Sequence, residues 1–295
     1  MSAKLGLAER GGKSAPRDLH APVPVSQSHR GADGIEIRLV ASLDEYAACV
    51  QLQELIWGPG FEETVPPAIL MVAQKMAGVT AGAFDATGRL LGFVFGISGL
   101  RYGKLSHWSD MLAVHPDARG ANLGERLKRF QREVCRSHGI PLMYWTFDPL
   151  VARNAHLNLV RLGARAAEYA VNLYGSNTGS PLHGALDTDR WIAAWDLERD
   201  VVPPAAPLPS GHFVVEPAAD SPLPVAHALV DAPAVRVGIP DDHEQLSLDE
   251  RIAWRTATRR AFTHYLDAGW LVRGFFRRDA DTPAFYELTP LDPRP

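Results

Sequence analysis

The segment Val114-His115-Pro116-Asp117-Ala118-Arg119-Gly120-Ala121-Asn122-Leu123-Gly124 stands between an alternating apolar stretch and an amphipathic one. It reads as a strand turning tightly into a helix. The first amides of a helix point outward without partners, and the helix dipole favours negative charge there. A pyrophosphate fits such a place. Gly120 and Gly124 let a ligand approach the backbone, and Asn122 tolerates a left-handed conformation better than other non-glycine residues. A glycine-bearing turn alone would suit an ordinary strand-to-helix connection equally well.

Groups that could move protons or hold charge lie close by in the chain. Asp110, four residues before Val114, is a carboxylate in a central strand and needs a partner or a function. Asp148 ends the next apolar stretch just before Pro149, where an acid is more often a turn or helix cap. His107 precedes Asp110, and His156 falls on a short helix, where packing is the commoner role for a histidine. Arg153 and Arg190 can hold an anion through bidentate contacts, or can form structural ion pairs, Arg190 with Asp189 or Asp187. Tyr102, Trp108 and Trp145 could line a pocket, although aromatic residues in strands are usually core. No His/Cys cluster has metal-ligand spacing, so no metal is expected, and no Ser-His-Asp order is evident.

These residues need elements to place them. Ile35, Ile37 and Leu39 alternate as in a strand. Ser42-Leu43-Asp44-Glu45 is a capping box, Gly58-Pro59-Gly60 stops its helix, and Pro66-Pro67 starts a second one ending near Met76. Strands are predicted over 79–84, 89–98 and 106–114, the first two joined by the Asp85-Ala86-Thr87-Gly88 turn. A helix over 124–138, a strand over 142–147, a helix over 153–162 and strands over 166–173 and 190–197 follow. Pro and Ala dominate 199–233, which reads as a linker. Residues 234–295 read as a β-α-β-β unit, with a capping box at Ser247 to Glu250 and an apolar stripe of Trp254, Ala257, Ala261, Phe262 and Tyr265. That stripe should pack on the preceding sheet or on a second subunit, so a homodimer is one expectation. The same β-α-β-β order over 142–197 raises the suspicion of an internal repeat.

The totals set bounds. A chain of 295 residues with 46% hydrophobic and 22% charged residues can bury a sizeable core. A net charge of −4 lacks the basic footprint of a nucleic-acid binder. No apolar run spans a bilayer, and the tail over 1–34, rich in Gly, Pro, Ser and charge, reads as disordered without a secretory signal. A cytoplasmic location is expected by default. Cys49 and Cys135 read as buried, reduced thiols.

At the loop, the sequence resembles the GNAT acetyltransferase superfamily. That family has Val-x-Pro, then Arg or Gln, then x-x-Gly-x-Gly or Ala at the end of its fourth strand. Arg119 to Gly124 matches, with Asn122 replacing the middle glycine. Trp145 to Leu150, Arg153-Asn154-Ala155, Asn158, Leu162-Gly163-Ala164, Tyr174-Gly175, Asp189-Arg190, Ile239-Pro240, Trp254-Arg255, Arg259 and Phe262 look like one subfamily of predicted acetyltransferases. The resemblance implies a mixed α/β fold over 35–198, with a mostly antiparallel central sheet flanked by helices. It implies acetyl-CoA or another acyl-CoA as co-substrate, held by Leu112, Val114, Arg119, Gly120, Ala121, Asn122, Leu123, Gly124 and Asn154. A small amine, such as an amino acid, would attack the thioester while Asp110 or Asp148 takes its proton. Arg153 and Arg190 would suit an acceptor carboxylate or a succinyl group. Leu159 stands where many family members place an acidic tyrosine, which leaves Asn158, His156, a water or unassisted thiolate departure. It also leaves open a chain that binds CoA as a regulatory or scaffold protein without turning over.

Overall fold

The computed structural model describes residues 28–175, 186–202 and 205–291. The Ser42 hydroxyl accepts from the Glu45 amide at 3.2 Å, and the Glu45 carboxylate accepts in return from the Ser42 amide. This reciprocal cap opens α1 (Leu43–Trp57), and Gly58, at φ 97°, closes it. Pro66 and Pro67 open α2 (Pro67–Lys75), where proline's missing N–H costs nothing. Both helices bury Tyr46, Cys49, Leu52, Leu70 and Ala73 on one face of a sheet, against Phe93, Phe95, Met111 and Ala113. The opposite face carries α3 (Leu123–Ser137), which packs Leu123, Leu127, Phe130 and Val134 against Val79, Ala81, Val94 and Trp145. Cys49 and Cys135 lie one in each core, and burial pushes both thiols up to about 12, so they stay protonated.

The sheet contains β1 (His29–Arg30), β2 (Glu36–Leu39), β3 (Val79–Phe84), β4 (Leu90–Arg101), β5 (Lys104–Val114), β6 (Leu142–Phe147), β7 (Arg165–Ala170) and β8 (Arg190–Asp196). Its order is β1-β2-β3-β4-β5-β6-β8-β7, antiparallel at every step except the parallel pair β5 and β6. This is the mixed, mostly antiparallel α/β sheet expected. Between β6 and β7, α4 (Ala152–Ala155) widens into a π-turn over His156–Arg161, where Leu162 donates its amide to the Leu157 carbonyl at 2.9 Å. The helix expected over 153–162 is thus present, with its second part wound as a π-turn.

Two boundaries also differ from the sequence reading. Strand β1 lies inside the stretch read as a disordered tail, tied to Ile37 and Glu36 of β2; residues 1–27 of that stretch lie outside the described residues. The stretch read as a linker supplies β9 (Gly211–Pro217) and β10 (Pro224–Ala226). The apolar run Phe213-Val214-Val215 buries its valines there, a signal masked by the surrounding prolines. With β11 (Ala234–Gly238), β12 (Trp270–Phe276) and β13 (Phe285–Pro290) they form a second sheet in the order β10-β9-β11-β13-β12. Helix α5 (Leu248–Asp267), opened by the Ser247–Glu250 capping box, connects β11 to β12. Phe262 of α5 packs edge-on against the first sheet, its ring centroid 4.9 Å from that of Trp191 and 5.2 Å from that of Tyr169.

A chain of buried polar groups fastens α3 to the sheet. Lys128 donates to Ser109 Oγ at 2.7 Å, which leaves the Ser109 proton for Gln131 Oε1 at 2.8 Å. The Gln131 amide then donates to His107 Nε2 at 2.9 Å, and His107 Nδ1–H donates to Ser98 Oγ at 2.9 Å. Ser98 closes the chain on the Ala77 carbonyl at 2.6 Å. Each donor thus meets one acceptor, which fixes His107 as the neutral Nδ1–H tautomer, and burial lowers its pKa to about 3.

Burial also lowers the Lys128 pKa from 10.5 to about 7, although its ammonium lies 4.0 Å from the Trp145 ring centroid. Below the folded pKa the lysine is charged in both states, and only the folded chain carries the cost of a buried charge. The unfolded chain binds more protons between the two pKa values, so this group makes stability rise with pH across that window. Lys128→Met should therefore raise the melting temperature at pH 7 by a few degrees and remove that rise in melts between pH 7 and 10. A lower melting temperature with an unchanged pH slope would contradict this accounting.

Candidate functional site

Strands β5 and β6 pair only over Ser106–Trp108 and Leu142–Tyr144. Beyond that they part, while each stays paired along its other edge: β5 with β4 up to Val114, and β6 with β8 up to Phe147. The backbone edges of Ser109–Val114 and Trp145–Phe147 thus face each other across a cleft. Asp110 makes the divergence sharper. Phe95 opposes Met111 and Gly96 opposes Ser109, so Asp110 is the extra residue of a β-bulge, which bends and twists its strand.

One end of the cleft meets the loop before α3. Asn122 has φ 53° and ψ 25°, the left-handed conformation expected of it, and Gly120 has φ 90°. Arg119, Gly120, Ala121 and Asn122 are exposed. The three helices of fifteen or more residues differ at their starts: α1 and α5 carry complete capping boxes, whereas no side chain caps α3. Its first-turn amides are presented to whatever lies in front of them. A Cβ on Gly124 would sit 3.6 Å from Leu112 Cδ2 and 3.9 Å from Leu157 Cδ2, so β5, α3 and the π-turn converge here. Leu112, Val114 and Asn154 are half-buried around this end, while Leu123 is buried beneath it.

The other end gathers ionisable groups. Asp110 is exposed on the cleft floor, yet the protein crowding it raises its carboxyl pKa above the usual aspartate value. Glu63, from the loop between α1 and α2, is raised by burial and by the neighbouring Asp110 charge, with Arg190 acting against both. Tyr174, just after β7, hydrogen-bonds Thr146 of β6 at 3.0 Å, and burial raises its pKa so that it keeps its proton. The Arg190 guanidinium lies 5.8 Å from the Tyr174 ring centroid. Sequence reasoning missed Glu63, since a glutamate in a Gly/Pro-rich loop carries no periodic signal, and it gave Tyr174 no role.

The remaining candidates take mostly structural places, among them the turn role that the sequence favoured for Asp148. Asp148 is spent on structure: its Oδ1 accepts from the Leu150 amide at 2.8 Å, and its Oδ2 faces Arg255 at 2.6 Å and Arg190 at 3.4 Å. Burial alone would raise its pKa, but Arg255 and then Arg190 hold it down at about 2, which suits an ion-pair anchor and not a proton acceptor. Arg153 is exposed and pairs with Glu244, so it does not join Arg190 in an anion clamp. Asn158 and Leu159 are buried, and His156 is half-buried with its pKa lowered first by burial. Among the described residues no His/Cys/Asp/Glu group could hold a metal ion, and no helix is long and apolar enough to cross a membrane. A separate cleft of about 740 Å³ lies at the end of the second sheet, around Trp254. Acids on its walls serve local structure, as where Asp242 and Glu250 cap helical turns and Asp241 pairs with Arg278.

No described protein family and no curated protein matches the chain. Solved acetyltransferase structures are similar to it. The NatC complex bound to Gag peptide and CoA is 13% identical, with 55% of this chain and 98% of that chain covered and a TM-score of 0.45. The ribosomal-protein-S18-alanine N-acetyltransferase from Escherichia coli is 15% identical over 56% of this chain and 96% of that one, with a TM-score of 0.43. Aminoglycoside 6'-acetyltransferase type Ii is 17% identical over 56% and 98%, with a TM-score of 0.44. At such identities no substrate passes from those proteins to this one.

The anchoring role of Asp148 has a measurable sign. Its folded pKa is depressed, so its contribution to stability is present above pH 3.8 and is lost as pH falls through about 2. Asp148→Asn should cost about 3–5 kcal/mol in urea unfolding at pH 7, because two buried guanidiniums lose their anion. The loss should shrink at pH 3. An equal loss at both pH values would show that Asp148 is not anchoring as an anion.

Proposed function

We propose that the chain is a CoA-dependent N-acyltransferase, moving an acetyl group from acetyl-CoA to a small amine. The parting of β5 and β6 beside an uncapped helix start is the observation that carries this reading. A pantetheine arm has amides that can pair with the exposed strand edges of Ser109–Val114 and Trp145–Phe147, as a further strand would. A pyrophosphate at the arm's end meets the amides of Arg119 to Gly124 and the positive end of the α3 dipole. The thioester carbonyl then lies beside the Asp110 bulge, where an unpaired backbone amide can polarise it.

Chemistry at that point needs a free amine. The acceptor ammonium gives a proton to Asp110, directly or through water, and its nitrogen lone pair attacks the thioester carbon. The tetrahedral intermediate gives its second N–H proton to water and collapses to the neutral amide with cleavage of the C–S bond, and CoA leaves as a thiolate of modest basicity without an acid from Leu159. Glu63 and Asp110 together make the acceptor side anionic, which draws a cationic amine inward. Arg190 suits an acceptor carboxylate, as an amino acid has, or a succinyl donor. Acid–base groups in the cleft favour an enzyme over a CoA-binding scaffold.

Two variants test the two halves of the site. A Cβ at Gly124 makes only ordinary contacts within the protein. Gly124→Val should thus fold normally yet weaken CoA binding in calorimetry by about tenfold or more, and normal affinity would put the cofactor elsewhere. Asp110→Asn should lower kcat by about a hundredfold with CoA affinity nearly unchanged. In the native enzyme the rate should rise with pH, first as the raised Asp110 carboxyl ionises and then as the free amine appears. Near-normal turnover by Asp110→Asn would remove it as the base.

A further inference from the structure

We propose that Arg255 and Arg259 of α5 are positioning residues for the acceptor side of the cleft, through which the C-terminal unit sets where Tyr174 and Arg190 stand. This rests on the acyltransferase reading for what the cleft binds, but its geometry is independent of that reading.

Helix α5 belongs to the second unit, yet these two arginines reach the first sheet. Arg259 takes Asp189 in a two-pronged grip, Nε to Oδ2 at 2.8 Å and Nη2 to Oδ1 at 2.6 Å, and its Nη2 also reaches Asp187 at 2.9 Å. Asp189 is fully buried, and its oxygens also accept from Tyr169 Oη at 2.6 Å and from the Asn172 amide at 3.0 Å. Next to it, Thr188 Oγ1 accepts from the Tyr174 amide at 2.9 Å. Fixing Asp189 therefore fixes both arms of the turn that carries Tyr174, as well as the start of β8, where Arg190 stands.

Arg255 acts on the same place from beneath. It is 2% exposed and takes Asp148 Oδ2 at 2.6 Å, the oxygen that also faces Arg190. Tyr286 of β13 ties the same segment, donating to the Pro149 carbonyl at 2.9 Å. Nε and Nη1 of Arg255 are buried without hydrogen-bond partners. A guanidinium buried with unused donors is a poor choice for stability alone, since an apolar side chain of similar volume is often neutral or better. Its position is explained by the carboxylate it holds against Arg190. The loop over Arg119–Gly124 has no hydrogen bond to α5 among the described residues, so the two ends of the cleft should respond separately.

The experiment compares the wild-type chain with Arg259→Met, Arg259→Lys and Arg255→Met. Hydrogen exchange is measured without ligand, and steady-state constants are measured by thiol release from acetyl-CoA with the amine that a screen of amino acids and polyamines selects. For Arg259→Met, exchange at the 172–174 amides should speed up by about tenfold or more while that over 119–126 stays unchanged. The acceptor KM should rise by about tenfold or more, with kcat and the acetyl-CoA KM within about threefold. Arg255→Met should raise the acceptor KM similarly. Arg259 is partly exposed and Arg259→Lys keeps its charge, so that variant should fold and give an intermediate acceptor KM. Unchanged exchange at 172–174 with an unchanged acceptor KM overturns the proposal. So does a parallel rise in both KM values, which is the mark of a general loss of structure. If the wild-type chain releases no thiol with any amine, the acyltransferase reading fails instead, and exchange at 172–174 still decides whether α5 positions that turn.

Discussion

Two parallel strands that pair over three residues and then diverge impose a demand on everything around them. Backbone donors and acceptors left along β5 and β6 need partners, and neither neighbouring strand can move to supply them. The bulge at Asp110 and the natural twist of the sheet keep the gap from closing. Around it stand the loop at one end, the carboxylates at the other, and the Ser109–Gln131–His107 chain that ties α3 to β5 behind the divergence. The second sheet supplies an internal comparison. Its order β9-β11-β13-β12 repeats β5-β6-β8-β7, with the parallel pair at the same place. There the parallel strands pair from Ala234 through Val237, along nearly all of β11, so that unit carries the topology without the opening.

The two units are joined by chemistry as well as packing. Phe262 meets Trp191 and Tyr169 in an aromatic contact, and two arginines of the same helix reach past it to half-buried Asp148 and buried Asp189. Burying such charges is costly unless each is paired. Asp148, Asp187 and Asp189 supply that pairing, and they are also next to the turn and strand that carry Tyr174 and Arg190. A helix needed to stabilise its own sheet has in this way become part of the wall of another.

Much of this was legible in the chain. Capping boxes at Ser42 and Ser247, the break at Gly58 and the glycine-bearing loop at 119–124 all rest on local chemistry, and each appears in the structure. Local rules could not see partners supplied from afar. Asp148 reads as a turn acid or a proton acceptor, and its ion pair shows only when Arg255, more than a hundred residues later, is found against it. Arg153 and Arg190 look like a pair until Glu244 claims the first and Asp148 faces the second. Glu63 sits in an aperiodic loop and becomes interesting only beside Asp110. The prolines around Phe213-Val214-Val215 disguised a strand whose pairing comes from β11. In each case the sequence shows the group, and only the fold shows its counter-charge or its neighbour.

The central claim is that the divergence of β5 and β6 is a cofactor site. Hydrogen exchange on the wild-type chain with and without saturating CoA tests it most directly. Amides of Ser109–Val114, Arg119–Glu125 and Trp145–Phe147 should be protected together, with the second sheet unaffected. CoA that binds without protecting these segments, or that protects the cleft near Trp254 instead, would contradict the account.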